Sequence, residues 1–235
     1  MGRAFEYRKA RKFARWDKMA RIFPRIGKEI TMATKAGGPN PDTNPRLRVA
    51  MQNAKGANMP KDRVEAAIRR ATDKDEKDYE EVIYEGYGPH GVAIVVETAT
   101  NNPTRTVANV RHLFNKYGGS LGTSGSLSFL FERKGIFRIN GEGLDMDELE
   151  LELIDHGADD IQQEENEIIV TAAFTDFGTL QKALEKMNIN VISSELQRLP
   201  VSFAEVNEAQ EEEVLKLIEF FEEDDDVQNV FYNLP

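Results

Sequence analysis

From residue 3 to residue 71, apolar positions recur at spacings of three and four. A second set of positions, filled by Lys and Arg, repeats with the same period on another side. Phe13, Trp16, Ala20 and Phe23 form the first apolar set, and Arg8, Arg11, Arg15 and Lys18 the first cationic one. This spacing predicts an amphipathic helix over 3–19, with one face for packing and one that can meet phosphate. Pro24 disfavours helical geometry at Phe23 and suits a first helical position, so a second helix starts there or the first one kinks. In it Ile26, Ile30 and Ala33 face inward and Arg25, Lys28 and Lys35 form a basic row, up to Gly37-Gly38. After a loop over 37–43 (GGPNPDT), Asn44-Pro45 reads as a cap followed by a proline at the first helical position. Leu47, Ala50, Met51 and Ala54 face inward in that helix, and Arg46 and Arg48 flank Leu47. Asn58-Met59-Pro60 repeats the start signal for a helix through Ala71 that carries Lys61 in its first turn, with Val64, Ala67, Ile68 and Ala71 inward.

Beyond the charged linker 72–78 (TDKDEKD) the apolar period changes to two. Strands are expected at 79–87 and 92–99 around Gly88-Pro89-His90-Gly91, then a helix opened by Asn101-Asn102-Pro103. A glycine-rich loop at 118–126 (GGSLGTSGS) and a strand at 127–131 follow. Residues 135–139, 146–155, 160–163, 167–173, 176–187 and 190–196 read as β, α, β, β, α and β, the ferredoxin-like order. A strand at 199–203, a helix at 208–221 and a strand at 229–232 complete the interrupted unit. The expected fold is α+β and multidomain. An N-terminal helical bundle (1–76) is followed by two ferredoxin-like α+β domains, one (134–197) inserted in the other (77–133 plus 198–235).

Charge sharpens this picture. Residues 1–71 hold eighteen basic and six acidic residues, a net of +12, while the remainder holds twelve basic and thirty-five acidic, a net of −23. The whole chain is therefore acidic, at −11, with a strongly basic head. The field at a partner comes from the local patch, because salt screens charges beyond roughly 8 Å. The cationic helices thus point to nucleic acid despite the acidic total. Arg105 and Arg111 add two guanidinium groups beside Asn101, Asn102 and Thr104, a cluster that reads either as helix capping with surface ion pairs or as a second anion-binding patch.

Catalytic chemistry finds little support in the sequence. Cysteine is absent, which removes disulfides, thiolate nucleophiles and thiolate metal sites, and fits a reducing cytoplasmic home. No apolar run is long enough to span a bilayer, so no membrane partner is expected. The loop at 118–126 lacks the Lys-Ser/Thr ending of a nucleotide P-loop, leaving an ordinary turn or a loop facing nucleic acid. Asp176-Phe177-Gly178 has neither of its kinase companions. His90, His112 and His156 are dispersed without a zinc spacing. The expectation is a protein that is not an enzyme and uses no cofactor or metal. The acidic run 222–226 reads as a solvated face, with repulsion of nucleic acid or docking against the basic head as alternatives.

Ordered motifs along the chain resemble the YebC/PmpR family, which also includes the mitochondrial translational activator of cytochrome c oxidase subunit I. They are Lys28-Glu29-Ile30, Ala33-Thr34-Lys35-Ala36-Gly37-Gly38, Pro41-Asp42, Asn44-Pro45-Arg46-Leu47-Arg48 and Asn58-Met59-Pro60-Lys61-Asp62. Tyr84-Glu85-Gly86-Tyr87-Gly88-Pro89, Asn102 with Arg105-Thr106-Val107, and Gly118-Gly119-Ser120-Leu121-Gly122 continue the series. The resemblance implies a helical first domain, two nested α+β domains, and a role as a DNA-binding transcriptional regulator. The alternative it implies is a factor associated with the ribosome and its rRNA that relieves stalling at proline-rich stretches. The chain departs from the family at its opening, where Ala-Gly-His-Ser-Lys-Trp is usual. Here residues 2–5 read Gly-Arg-Ala-Phe and the tryptophan is Trp16.

Overall fold

The computed structural model describes residues 22–73 and 78–235. The helix expected over 3–19, with Arg8, Arg11, Arg15 and Lys18, lies outside the described residues. Three helices follow: α1 (Ile22–Gly37), α2 (Pro45–Gly56) and α3 (Lys61–Thr72). Pro24 sits in the first turn of α1, where its missing N–H breaks no intrahelical bond. Gly38, with φ +86°, closes the other end by donating from its N–H to Thr34 O at 2.8 Å. Asn44 then does two jobs. Its side chain accepts from Leu47 N to cap α2, and its Nδ2 donates to Ala33 O (2.7 Å) and Gly38 O (2.9 Å), which seals the end of α1.

Asn58 departs from its expected role. It does not open α3 but closes α2, with φ 56° and its N–H on Lys55 O, while Met59 N reaches back to Ala54 O at 2.8 Å. That is a left-handed helix end, a geometry that asparagine tolerates better than most residues and that a sequence signal for a start can mimic.

The described residues form two compact units, one containing residues 29–72 and 133–198, the other 22–28, 73, 78–132 and 199–235. In the first, β4 (Phe131–Asn140), α5 (Met146–Asp155), β5 (Ala158–Glu164), β6 (Glu167–Ala173), α6 (Phe177–Lys186) and β7 (Val191–Pro200) build a sheet of order β5-β6-β4-β7. This is the ferredoxin-like arrangement expected from the β-α-β-β-α-β order. Phe137, Ile139, Leu153, Val170, Leu180 and Leu184 fill its core between sheet and helices. Residues 29–72 of the head belong to this unit. Asn53 Nδ2 donates to Ser194 O (2.9 Å), Ser194 N donates to Asn53 Oδ1 (2.8 Å), and Thr31 Oγ1 donates to Ala67 O (3.1 Å). At Gly56 the backbone of Ile192 comes so close that a Cβ would lie 1.8 Å from its carbonyl oxygen.

In the second unit, β1 (Glu80–Tyr87) and β2 (Ala93–Thr100) form an antiparallel hairpin at the centre of a sheet ordered β3-β1-β2-β8. The edges are β3 (Ser120–Leu121) and β8 (Val227–Tyr232). Helices α4 (Pro103–Lys116) and α7 (Glu208–Glu223) pack Val110, Phe114, Val214, Leu217 and Phe221 against Ile94, Val96 and Val230. Both sheets thus have four strands and two helices, but here the two central strands are consecutive in the chain. The strand expected at 127–131 is instead a short 3-10 turn at Ser128–Leu130 that leads directly into β4. No separate strand forms at 199–203, since β7 runs on to Pro200 and residues 201–203 lie outside any strand.

Candidate nucleic-acid interface

Of the twelve cations expected to meet nucleic acid, eight lie in the described residues, and their surroundings differ sharply. Lys28, from the basic row of α1, does not face solvent. Its Nζ donates to Asp225 O (2.6 Å) and Ala99 O (2.9 Å), stands 3.5 Å from Asp226 Oδ1, and leaves only 13% of the side chain exposed. Burial pushes the ammonium below its ordinary pKa of 10.5, with Asp226 and then Asp225 and Asp224 pulling the other way. Arg25, one turn earlier, donates from Nη2 to Glu222 O at 3.0 Å. The expected outward basic row of α1 therefore holds the protein's own acidic run at 222–226 at two of its three positions. Lys35, the third, is half-buried in the last turn of α1.

Asp226 is the hub of this arrangement. Its Oδ2 accepts from Arg105 Nη2 (2.6 Å), Thr106 Oγ1 (2.8 Å) and Thr100 Oγ1 (3.1 Å), and its own N–H is held by Asp224 Oδ1. Burial alone would raise the pKa of this carboxyl group. The hydrogen bonds from Arg105 and Thr106, the charge of Lys28 and the bond from Thr100 outweigh it and hold the pKa below the usual carboxylate range. Asn102 caps α4 by accepting from Arg105 N at 3.2 Å, and its own N–H donates to Thr100 Oγ1. Asn102 thus caps α4 and Arg105 joins the ion-pair network, with 51% of the Arg105 side chain still exposed. Periodicity gives no signal for this hub, since residue 28, residue 100, residues 105 and 106, and residue 226 come from four separate stretches of the chain. The only hint was that Asn102, Arg105 and Thr106 fall in one motif.

The other cations are more open. Arg46 lies beside Glu29 (2.8 Å), both more than a third exposed. Arg48 pairs with Glu185 (3.1 Å) and donates to Pro41 O. Lys61 stands 3.8 Å from Glu65 with 90% of its side chain exposed, and Arg69 follows on the same helix at 69%. Such exposed pairs are weak, so a polyanion can replace Glu65 at small cost. Arg111 is exposed on α4 without an ion-pair partner among the described residues. Lys55, Arg63 and Arg70 are also exposed and extend the cationic surface of α2 and α3 beyond the residues singled out from sequence.

The glycine-rich loop is committed elsewhere. The buried Glu85 carboxylate accepts from Gly125 N (3.0 Å) and Leu127 N (2.6 Å), and its carbonyl accepts from Gly122 N (2.7 Å). Three amides that a phosphate would need are occupied, and a carboxylate sits where the anion would go. Residues 128–130 follow directly, as a 3-10 turn. No cluster of three or more His, Cys, Asp or Glu able to hold a metal occurs among the described residues, nor does a helix long and apolar enough to cross a membrane.

Comparison with known proteins places this architecture. Residues 3–74 match the N-terminal domain of the TACO1/YebC protein, and residues 79–234 match the TACO1/YebC second and third domains. The chain belongs to the TACO1/YebC family. Relatives in this family include proteins named "Probable transcriptional regulatory protein" from Cytophaga hutchinsonii, 59% identical over 234 residues, covering 100% of this chain and 98% of that one. One from Parabacteroides distasonis is 58% identical over 235 residues (100% and 97% covered), and one from Myxococcus xanthus 54% over 239 residues (100% of both). The crystal structure of a conserved hypothetical protein from Aquifex aeolicus is similar at a TM-score of 0.79 and 40% identity, over 92% of this chain and 89% of that one.

Proposed function

We propose that this TACO1/YebC-family chain is a non-catalytic regulator of gene expression that binds DNA through its cationic opening helices. One observation carries the reading, the +12 net charge of residues 1–71 in a chain whose total is −11. The names of the bacterial relatives, transcriptional regulatory proteins, agree with it. So do the exposed Lys61, Arg63, Arg69 and Arg70 on α3. Lys28 and Arg25 serve instead to fasten α1 to the acidic run, and Arg105 to fasten Asp226. In this reading the contacts to phosphate come from Arg8, Arg11, Arg15 and Lys18, from Lys35, Arg46, Arg48 and Lys61, and from Arg111.

Phosphate contacts release counterions, so affinity should fall steeply with salt. The test is titration of duplex DNA, single-stranded DNA, ribosomal RNA and ribosomes at two salt concentrations. Salt-sensitive binding of duplex DNA, lost when Lys61, Arg63, Arg69 and Arg70 are changed to Ala, supports the proposal. Preferential binding of ribosomal RNA and co-sedimentation with ribosomes would move the target from DNA to the ribosome. Weak, salt-insensitive signals for all four ligands would refute nucleic-acid binding altogether.

A further inference from the structure

Residues 141–167 contain twelve Asp or Glu and no Lys or Arg. They include α5 and β5, and β5 is one of the two edge strands of its sheet. Two of these acids are neutralised by cations from β4, Asp159 by Lys134 (2.9 Å) and Glu167 by Arg138. Asp145 caps α5. Leu149 and Leu153 of that helix are buried, at 4% and 0% exposure, and fix its inner side. Its outer side is unusual, because Leu151 is 71% exposed and Ile154 53%. At i and i+3 they stand next to each other on the helix surface. Asp147, Glu148, Glu150, Glu152 and Asp155 surround them, all exposed and none with a cationic partner among the described residues.

Solvation alone accounts for the carboxylates but not for two large aliphatic side chains at the centre of the acidic face. A single exposed leucine is unremarkable, whereas an adjacent pair inside a ring of one charge sign has the form of an interface, with an apolar centre and a polar rim. The sign of the rim selects the occupant. Nucleic acid and anionic lipid are repelled, and a second acidic α5 face is repelled as well. A polypeptide with Lys or Arg around apolar side chains fits both features, with the cations meeting Glu150, Glu152 and Asp155 and the apolar residues covering Leu151 and Ile154.

We infer that the outer face of α5 is a docking surface for a cationic, apolar-bearing segment of a partner protein. This stands apart from the nucleic-acid reading, since it uses neither the head nor its cations. The probe is a synthetic amphipathic Lys/Leu peptide of about four helical turns, added to the full chain and followed by amide NMR shifts. Controls are the same peptide with Ser for Leu and with Glu for Lys. The expected result is saturable binding of the Lys/Leu peptide alone, with the shifts centred on α5. Leu151→Ser with Ile154→Ser should weaken it by about fivefold or more, as should Glu150→Gln with Glu152→Gln and Asp155→Asn. Melting of the free protein should not change, because all five side chains are exposed. Equal binding of the Ser peptide, or shifts centred away from α5, would overturn the inference. So would concentration-dependent self-association abolished by the Leu151 and Ile154 changes without peptide binding, which would make the occupant a second copy.

Discussion

Residues 222–226 and residues 141–167 are both rich in carboxylates and free of Lys and Arg, yet the fold treats them in opposite ways. In the first, Asp226 is buried and holds Arg105, Thr100 and Thr106 on Oδ2 with Lys28 nearby, while the Glu222 and Asp225 carbonyls accept from Arg25 and Lys28. In the second, the carboxylates of α5 stand in solvent around Leu151 and Ile154. A carboxylate whose charges and protons are fixed from several sides has become part of the scaffold, whereas one left in water remains available to a partner. Local charge density in a sequence therefore reports surface potential only once the groups the fold encloses are set aside. The cations show the same division, with Lys28 enclosed and Lys61 open.

The largest effect is expected from Asp226→Ala. It would remove the carboxylate charge that faces the mostly buried Lys28 ammonium and the acceptor shared by Arg105, Thr100 and Thr106, at a cost of about 3 kcal/mol in a urea unfolding experiment. A change within about 0.5 kcal/mol would show the hub to be ornamental. Lys28→Met should cost less, about 1 kcal/mol, because Asp226 retains Arg105 and the hydroxyls and the buried charge is removed. It should leave DNA binding unchanged, which separates it from the cations assigned to phosphate.

Acid sharpens the contrast further. The native pKa of Asp226 lies below its ordinary 3.8, so the unfolded chain binds more protons between the two values. The stabilisation is present above pH 3.8 and is lost as pH falls through the lower native value. Lys28 is lowered from 10.5, so stability should rise with pH between its native value and 10.5. Unfolding midpoints across the acid range should show a shallower fall for Asp226→Asn than for the parent chain. The smallest effect is expected on α5, where Glu150→Gln with Glu152→Gln should alter stability by no more than about 0.5 kcal/mol.

The fold was legible where local chemistry and tertiary demand agree. Asn44-Pro45 and Asn102-Pro103 carry a cap and a first-turn proline, and the apolar period separates the helical head from the strands that follow. The ferredoxin-like unit was readable because each of its elements has its own pattern. Two local signals failed, one at the end of the preceding helix and one where a distant group decides the outcome. Asn58 carries the side chain of a helix start, but the end of α2 uses it in left-handed geometry. Residues 127–131 have the composition of a strand, but Glu85, forty-two positions before Leu127, takes the amides that would begin it. The interface was less legible than the fold for the same reason. The basic head is visible as a sum of charges, whereas the side chains enclosed by carbonyls and carboxylates far along the chain are set by packing. Arg25, Lys28 and Arg105 looked no different in sequence from Lys61 or Arg111.

The most direct test of the proposed DNA binding is the salt dependence of duplex affinity for the parent chain and for the variant in which Arg8, Arg11, Arg15 and Lys18 are all Ala. Each lost phosphate contact should reduce the slope of log K against log salt by about 0.9. Four contacts should therefore flatten it by about three to four, with unfolding midpoints unchanged. Parent and variant lines of the same slope and height would contradict a role for the cationic opening in holding DNA.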